Sequence, residues 1–321
     1  RFLPWRRTKD PYAIWLSEII LQQTRIDQGL EYWEIFLKKF PTVKSLSKAK
    51  ESEILALWSG LGYYSRARNI YQAAQIIVSK FQSEFPKTSS ELLKLPGIGP
   101  YTAAAISSIC FGEVSPALDG NAFRVYSRLF AISSPIEKKS TIKEISALAL
   151  PLLSKKRPGD SNQAIMDIGS TICKPKKPNC PACPFEENCI SRRSGNQHNF
   201  PVKLKSIRIK EVDKFYVFLR KNDTYGFTLR PKTGIWGGLW TPLELNFEDW
   251  ELAKKSKNIQ KGNIIYQKHL LTHRKMNLYF SDWIGEIYPK NEEIQWFSNQ
   301  DLKRLAFPAP ILKILNEKSY I

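Results

Sequence analysis

Four cysteines, Cys173, Cys180, Cys183 and Cys189, follow the pattern C-x6-C-x2-C-x5-C within residues 173–189. Four thiolates on so short a loop can close around one small inorganic centre. Structural zinc usually takes two C-x-x-C pairs, or one such pair with histidines at helical spacing. Here a single C-x-x-C carries longer arms, and no histidine lies in the loop. Four-thiolate iron–sulfur ligation accepts uneven arms, so the spacing points to an iron–sulfur cluster of the 4Fe-4S kind, with zinc as the second reading. Two disulfides are the weakest reading. Cys110 would be left over, and no signal peptide is visible, although the abrupt start at Arg1 leaves a removed segment open.

Two carboxylates stand out next. Glu18, in WLSEIILQQTR, interrupts an apolar stripe, and Gln22 and Arg25 follow at i+4 and i+7. On a continuous helix all three share one face, and such a stripe is usually a solvated face. Asp119, in ALDGNAFRVYSR, sits just before a helix, where it serves either as an N-cap or as a reactive group. A third feature is LPGIGPYT at residues 95–102, between a short helix and an Ala-rich one. Gly97 and Gly99 allow a tight turn and close approach of a ligand. The second helix then presents free N–H groups and the positive end of its dipole to an anion. Two helices joined in this way form a helix–hairpin–helix, which holds a DNA phosphate; the bland alternative is a packing corner.

These residues need a scaffold. Residues 11–190 read as helix after helix. Apolar residues recur at Tyr12, Trp15, Leu16, Ile19 and Ile20, at Tyr32, Ile35 and Phe36, and at Ile54, Leu57 and Trp58. The pattern continues through 69–80, 89–94, 101–111, 121–131, 140–153 and 162–172, with Pro and Gly between. Residues 192–206 are polar and aperiodic, as a linker would be. Beyond them 214–219, 225–229 and 277–284 are aromatic and β-branched, as strands are. Residues 234–240 (GIWGGLW) read as a Gly-rich turn, and 248–257 and 301–317 as helices. The expected fold is thus an all-α domain at 1–191 with its cysteine loop, a linker at 192–206, and a smaller α+β domain at 207–321.

The net charge of +19 is not confined to a tail: residues 1–204 hold 29 Lys and Arg against 17 Asp and Glu, and the rest 20 against 13. Charge of one sign on both halves suggests a polyanionic partner such as nucleic acid. No run of 18 apolar residues exists, so a membrane partner is not expected.

Taken in order, WLSEIILQQT, GLGYYSRARN, LPGIGPYTA, LDGN, QAIMDIG and the four-cysteine loop resemble the MutY-type adenine DNA glycosylases of the endonuclease III superfamily. The resemblance is specific over residues 1–190 and weaker beyond. It implies a helix–hairpin–helix glycosylase domain, then a Nudix-like domain, and removal of adenine opposite 8-oxoguanine or guanine in double-stranded DNA. A different glycosylase of the superfamily, for thymine or oxidised pyrimidines, and a non-catalytic DNA-binding relative are the alternatives. Carried over by position, Glu18 matches the general acid, and Asp119 the carboxylate beneath the electron-poor sugar. Tyr101 and Asn121 match the residues that position them. Gln23 and Tyr63 match side chains that wedge into the base stack, and Leu3, Trp5, Arg6 and Gln163 fall around the adenine pocket. Two carboxyls in different protonation states suit cleavage of an N-glycosidic bond. Bifunctional relatives carry Lys where this chain has Tyr101, so no efficient lyase step is expected. The catalytic Nudix box is absent, so nucleotide hydrolysis is not expected. Leu271, Thr272 and His273 align with the loop that senses 8-oxoguanine, with Leu in place of an aromatic. A monomer in the bacterial cytoplasm, held at the nucleoid by DNA binding, completes the expectation.

Overall fold

Helices begin where the sequence supplies caps. In α1 (Pro11–Ile20) the Asp10 carboxylate accepts hydrogen bonds from the Tyr12 and Ala13 amides, and Pro11 fills the first turn. After α2 (Ile26–Lys39), Thr42 and Ser45 form a reciprocal capping box for α3 (Val43–Ser47). The segments α4 (Glu51–Leu57) and α5 (Ser65–Lys80) follow, then α6 (Ser89–Leu92), capped by Thr88. Helix α7 (Pro100–Phe111) ends on Gly112 at φ 75°, the left-handed position that glycine fills at least cost. Asp119 caps α8 (Gly120–Leu129), and α9 (Lys139–Ala149), α10 (Pro158–Thr171) and α11 (Ile190–Arg193) complete the helical series.

The structure is a computed structural model in which residues 3–204, 209–259, 261–271, 274–285 and 293–320 are described. Contacts divide it into two units: Arg1–Lys48 with Asn69–Ser206, and Ala49–Arg68 with Ile207–Ile321. In the first, α1 is buried along most of its length and packs on α7, whose Ala103, Ala104 and Ala105 are too small to hold it away. Helix α10 packs on α7 and α8. A Cβ on Gly159 would lie 2.7 Å from Ile109 Cα, and one on Gly169 would lie 2.6 Å from Asn121 Cβ. Glycine at each end of α10 therefore sets how closely it approaches both neighbours.

Three helical expectations change. In α2 the buried face is Gly29, Trp33 and Phe36, not Tyr32, Ile35 and Phe36. Ile35 is 46% exposed, whereas the Trp33 indole donates to the Ala13 carbonyl at 2.8 Å. Both registers are apolar, and the indole's need for a partner selects one. Helix α9 stops at Ala149 because Pro151 follows, leaving a 3-10 turn at Leu150–Leu152. Helix α10 starts at Pro158, a proline serving as its first residue.

The second unit holds a seven-stranded mixed sheet of β1 (Lys210–Lys221), β2 (Thr224–Leu229), β3 (Trp240–Thr241), β4 (Leu243–Leu245), β5 (Ile265–Leu271), β6 (Arg274–Asp282) and β7 (Ile294–Ser298). The main order is β3-β2-β1-β6-β5, with β4 beside β1 and β7 beside β2. The β1–β6 pair is parallel, with Val217 opposite Ser281. Side chains of β1 alternate between two cores. Tyr216 and Phe218 join Phe280, Phe307 and Ile311, while Val217 and Leu219 join Leu243, Trp250 and Ile259. An unbroken apolar run is what a strand buried on both faces requires. Helix α12 (Phe247–Lys255) covers one face. Residues 301–317, expected as one helix, divide into α13 (Asn299–Leu302) and α14 (Ala309–Glu317), with Pro308 between; α14 covers the other face. Residues 234–240 form the expected turn, with Gly234, Trp236 and Gly238 all at positive φ. No helix among the described residues is long and apolar enough to cross a membrane.

Candidate active site

One cleft of the helical unit gathers ten of the residues singled out from sequence. Leu3, Trp5, Arg6, Glu18, Gln22, Gln23, Tyr101, Asp119, Asn121 and Gln163 all line it. Glu18 comes from the middle of α1, Tyr101 from the first turn of α7, Asp119 and Asn121 from the start of α8, and Gln163 from α10. Trp5 is buried and meets Trp33 edge to face at 5.7 Å between ring centroids. The helical stripe of Glu18, Gln22 and Arg25 does not exist as one face, because α1 ends at Ile20. Gln22 still faces the cleft beyond the helix end, whereas Arg25 is exposed at the start of α2.

The two carboxylates are held differently. Burial, the largest influence, pushes Glu18 up to about 7; the Tyr101 hydrogen bond lowers it, the Asp119 charge raises it, and Arg6 lowers it. Near neutrality Glu18 therefore holds a proton it can readily give or regain. The Tyr101 hydroxyl, itself kept protonated chiefly by burial and then by Glu18, also lies 3.8 Å from Met166 Sδ. Asp119 is an N-cap at the cleft wall: its Oδ1 accepts the Ala122 amide at 2.7 Å, and its Oδ2 accepts the Asn121 side-chain amide at 2.8 Å. With both oxygens engaged, the carboxylate is fixed in place at the cleft wall.

Sequence reasoning missed two supports. Asp167 grips Arg6 through two hydrogen bonds of 2.6 and 2.9 Å. It lies four residues after Gln163, one helical turn on, which was the available signal. Arg124 is the second: its Nη2 donates to Asn121 Oδ1 at 2.8 Å and to the Gly169 carbonyl at 2.6 Å, and its Nε donates to the Cys173 carbonyl at 2.7 Å. A continuous path of hydrogen bonds thus runs from the backbone of Cys173 through Arg124 and Asn121 to Asp119.

Cys173, Cys180, Cys183 and Cys189 surround one cavity with Val125, Leu129, Ile172 and Phe185 in its wall. Buried Arg128 donates to Cys173 Sγ at 3.3 Å and to the carbonyls of Lys174 and Pro175 at 2.8 and 2.9 Å, and the Cys189 thiol donates back to the Arg128 carbonyl at 3.4 Å. Four thiols around one largely apolar cavity beside a buried cation fit a centre that carries negative charge.

The two hairpin glycines differ in purpose. Gly97 sits at φ 77°, and a Cβ there would lie 2.6 Å from Asn69 Cβ. Gly99 has φ −90° and ψ 177°, extended backbone open to any residue, and a Cβ there would meet nothing within 4 Å. Gly97 thus makes the turn, and Gly99 keeps open the space before the start of α7. Gln23 and Tyr63 both occupy positive φ, at 57° and 48°. Such backbone is uncommon for residues other than glycine and concentrates at functional sites. Tyr63 belongs to the second unit and is 46% exposed. Thr272 and His273 lie outside the described residues.

Comparison with known proteins accords with this geometry. Residues 16–150 match the HhH-GPD superfamily of base excision DNA repair proteins, and residues 215–317 match the NUDIX domain. An adenine DNA glycosylase of Buchnera aphidicola subsp. Schizaphis graminum is 34% identical over 332 residues, covering 98% of this chain and 93% of its own. The Homo sapiens adenine DNA glycosylase is 39% identical over 206 residues, 61% of this chain and 38% of its own. Among solved structures, a thermostable thymine-DNA glycosylase superposes with a TM-score of 0.56 at 29% identity, over 60% of this chain and 89% of that one. With an adenine DNA glycosylase matching over nearly the whole chain and the paired carboxylates in one cleft, the chain belongs to the adenine DNA glycosylases of the HhH-GPD superfamily, a helical glycosylase domain followed by a Nudix-like one.

Proposed function

We propose that this protein is a monofunctional glycosylase that hydrolyses the N-glycosidic bond of adenine mispaired with 8-oxoguanine or guanine in duplex DNA. The observation that carries the reading is Glu18, held near a pKa of 7 in the same cleft as Asp119. A base inside a duplex is out of reach, so the adenine is flipped into the cleft. Glu18 gives its proton to the departing purine as the bond from C1′ to N9 lengthens. The sugar gains oxocarbenium character, and the Asp119 carboxylate, fixed by the Ala122 and Asn121 donors, stabilises it. Glu18, now ionised, takes a proton from the attacking water, whose oxygen bonds to C1′. Free adenine and an abasic site result, with Glu18 protonated again. Tyr101 steers the Glu18 carboxyl throughout.

Strand cleavage through a Schiff base needs an amine, and no lysine is among the described residues lining the cleft. Adenine is itself a normal base, so the legitimacy of excision must be read on the opposite strand. We assign that reading to the C-terminal domain, with Thr272 and His273 offering a hydroxyl and an imidazole to the C8 oxygen and N7 proton of 8-oxoguanine. Losing one such hydrogen bond costs about 1–3 kcal/mol, so Thr272→Ala or His273→Ala should lower the preference for 8-oxoguanine over guanine about tenfold or more.

Cys173, Cys180, Cys183 and Cys189 would hold a 4Fe-4S cluster. When bound, the cluster supplies a covalent cross-link of the 173–189 loop rather than a chemical step. Lysines of that loop, in KPKKPN, offer positive charge to the DNA backbone.

The test is base release from defined duplexes under single-turnover conditions, with and without alkali. The expected result is adenine released from its pairs with 8-oxoguanine and guanine, with strand scission only after alkali. Release of thymine or an oxidised pyrimidine instead, or scission before alkali, would overturn the assignment.

A further inference from the structure

Tyr63, matched above to a wedge, stands on an improbable piece of backbone. It has φ 48° and comes after Gly60 at 97° and directly after Gly62 at 70°. Contacts within the loop brace it. The Arg66 guanidinium is buried, lies 5.0 Å over the Trp58 ring and 5.8 Å over the Tyr63 ring, and donates to the Leu61 and Gly62 carbonyls at 3.2 Å each. The Trp58 indole adds a hydrogen bond to the Gly62 carbonyl at 3.0 Å.

Other contacts tie the same loop to the C-terminal sheet domain. The Tyr64 hydroxyl donates to the Phe307 carbonyl at 2.6 Å, in a buried position. Arg68 donates to the Gly237 carbonyl and pairs with Glu51 at 3.5 Å. Neither anchor can yield easily. Phe307 is fully buried in the sheet core, and Pro308 follows it. A Cβ at Gly237 would lie 2.5 Å from the Lys232 carbonyl oxygen, so that turn is also tightly closed. Residues 49–68 accordingly group with 207–321 rather than with the helices on either side in sequence.

We propose that the C-terminal sheet domain is the mount of the Tyr63 wedge, with Tyr64 and Arg68 as the positioning residues that connect them. Tyr63 enters the base stack from a loop whose next residue is tied to that domain. The domain therefore controls strand penetration as well as what it reads on the opposite strand. The inference rests on the proposed function, in that the protein must open a duplex.

The experiment uses the full chain and a duplex carrying 2-aminopurine beside the mispair, whose fluorescence rises when stacking is broken. Tyr64→Phe removes the hydroxyl and keeps the ring. It should reduce the fluorescence rise and lower kcat/KM for adenine release about five- to tenfold, the effect of one hydrogen bond, while the pH at which kcat/KM falls stays unchanged. Tyr63→Ala should do the same, and the double variant should be no worse than Tyr63→Ala alone, since coupled sites are not additive. Should Tyr64→Phe prove poorly folded by circular dichroism, Arg68→Lys supplies the second variant; it keeps the charge beside Glu51 and alters the donor to Gly237. Additive losses, or a Tyr64→Phe protein with wild-type fluorescence, would overturn the proposal. A Tyr63→Ala protein with wild-type fluorescence would overturn it too, leaving excision untouched. Normal fluorescence behaviour with no adenine release would instead overturn the proposed function and leave the mount standing.

Discussion

Glu18 and Asp119 show how one functional group can be held in two ways. Glu18 lies against apolar α1 neighbours and beside a second carboxylate, so its charged form is disfavoured, and burial raises it to about 7. Asp119 instead sits where α8 begins and accepts two hydrogen bonds. Glu18→Gln and Asp119→Asn keep shape but remove proton exchange and charge respectively. Each should lower single-turnover adenine release by at least about a hundredfold, the usual scale for a general acid, with duplex affinity within a few fold, measured by titration. Stability carries the same signature. A carboxyl whose folded pKa lies above its unfolded value stabilises the fold fully below the unfolded value and loses that contribution as pH rises through the folded one. The unfolded value is 4.5 and the folded one about 7. Glu18→Gln should therefore match the wild type at pH 4 and exceed it above pH 7. Glu18 is only half-buried, so solvent screens part of the shift and the gain should be about 1–3 kcal/mol, read from denaturant titrations at the two pH values.

At the scale of elements, capping and punctuation carried much of the fold. Pro and Gly marked the helix boundaries, and LPGIGPYT could be read as a hairpin because glycine there has few other uses. What stayed hidden depends on neighbours distant in sequence. The register of α2 was fixed by a Trp33 hydrogen bond to α1, and the short edge strands β3, β4 and β7 have partners but little pattern of their own. Strand β5 alternates in burial but mixes Gln, Lys and His among apolar residues. Of the site, the carboxylates were legible and their supports were not: Arg124 looks like any helical arginine until Cys173, Gly169 and Asn121 surround it. The hairpin gives a contrast. Gly97→Ala combines a positive φ with a 2.6 Å clash and should destabilise the fold by more than about 1 kcal/mol. Gly99→Ala should leave the melting temperature unchanged and weaken DNA binding, because its methyl would occupy the space before the α7 amides. Equal loss of stability in the two variants would contradict the division of roles.

At the scale of the whole molecule, the net charge of +19 implies electrostatic DNA affinity that falls steeply with salt. The cysteine loop is linked to the Asp119 carboxylate through Arg124 and Asn121. Anaerobically purified protein should contain about four irons and four sulfides per chain. Cys180→Ala should lower that content and destabilise the helical unit, whereas stoichiometric zinc without iron would contradict the cluster. The account as a whole turns on Glu18 as the proton source for a departing adenine. The measurement that reaches it most directly is the pH dependence of kcat/KM for adenine release from a duplex with 8-oxoguanine opposite, since kcat/KM reports groups in the free enzyme. The acid must be protonated, so kcat/KM should fall as pH rises through about 7, and Glu18→Gln should show no such fall and almost no release. A wild-type profile flat across that range, with Glu18→Gln releasing adenine at near wild-type rate, would contradict it.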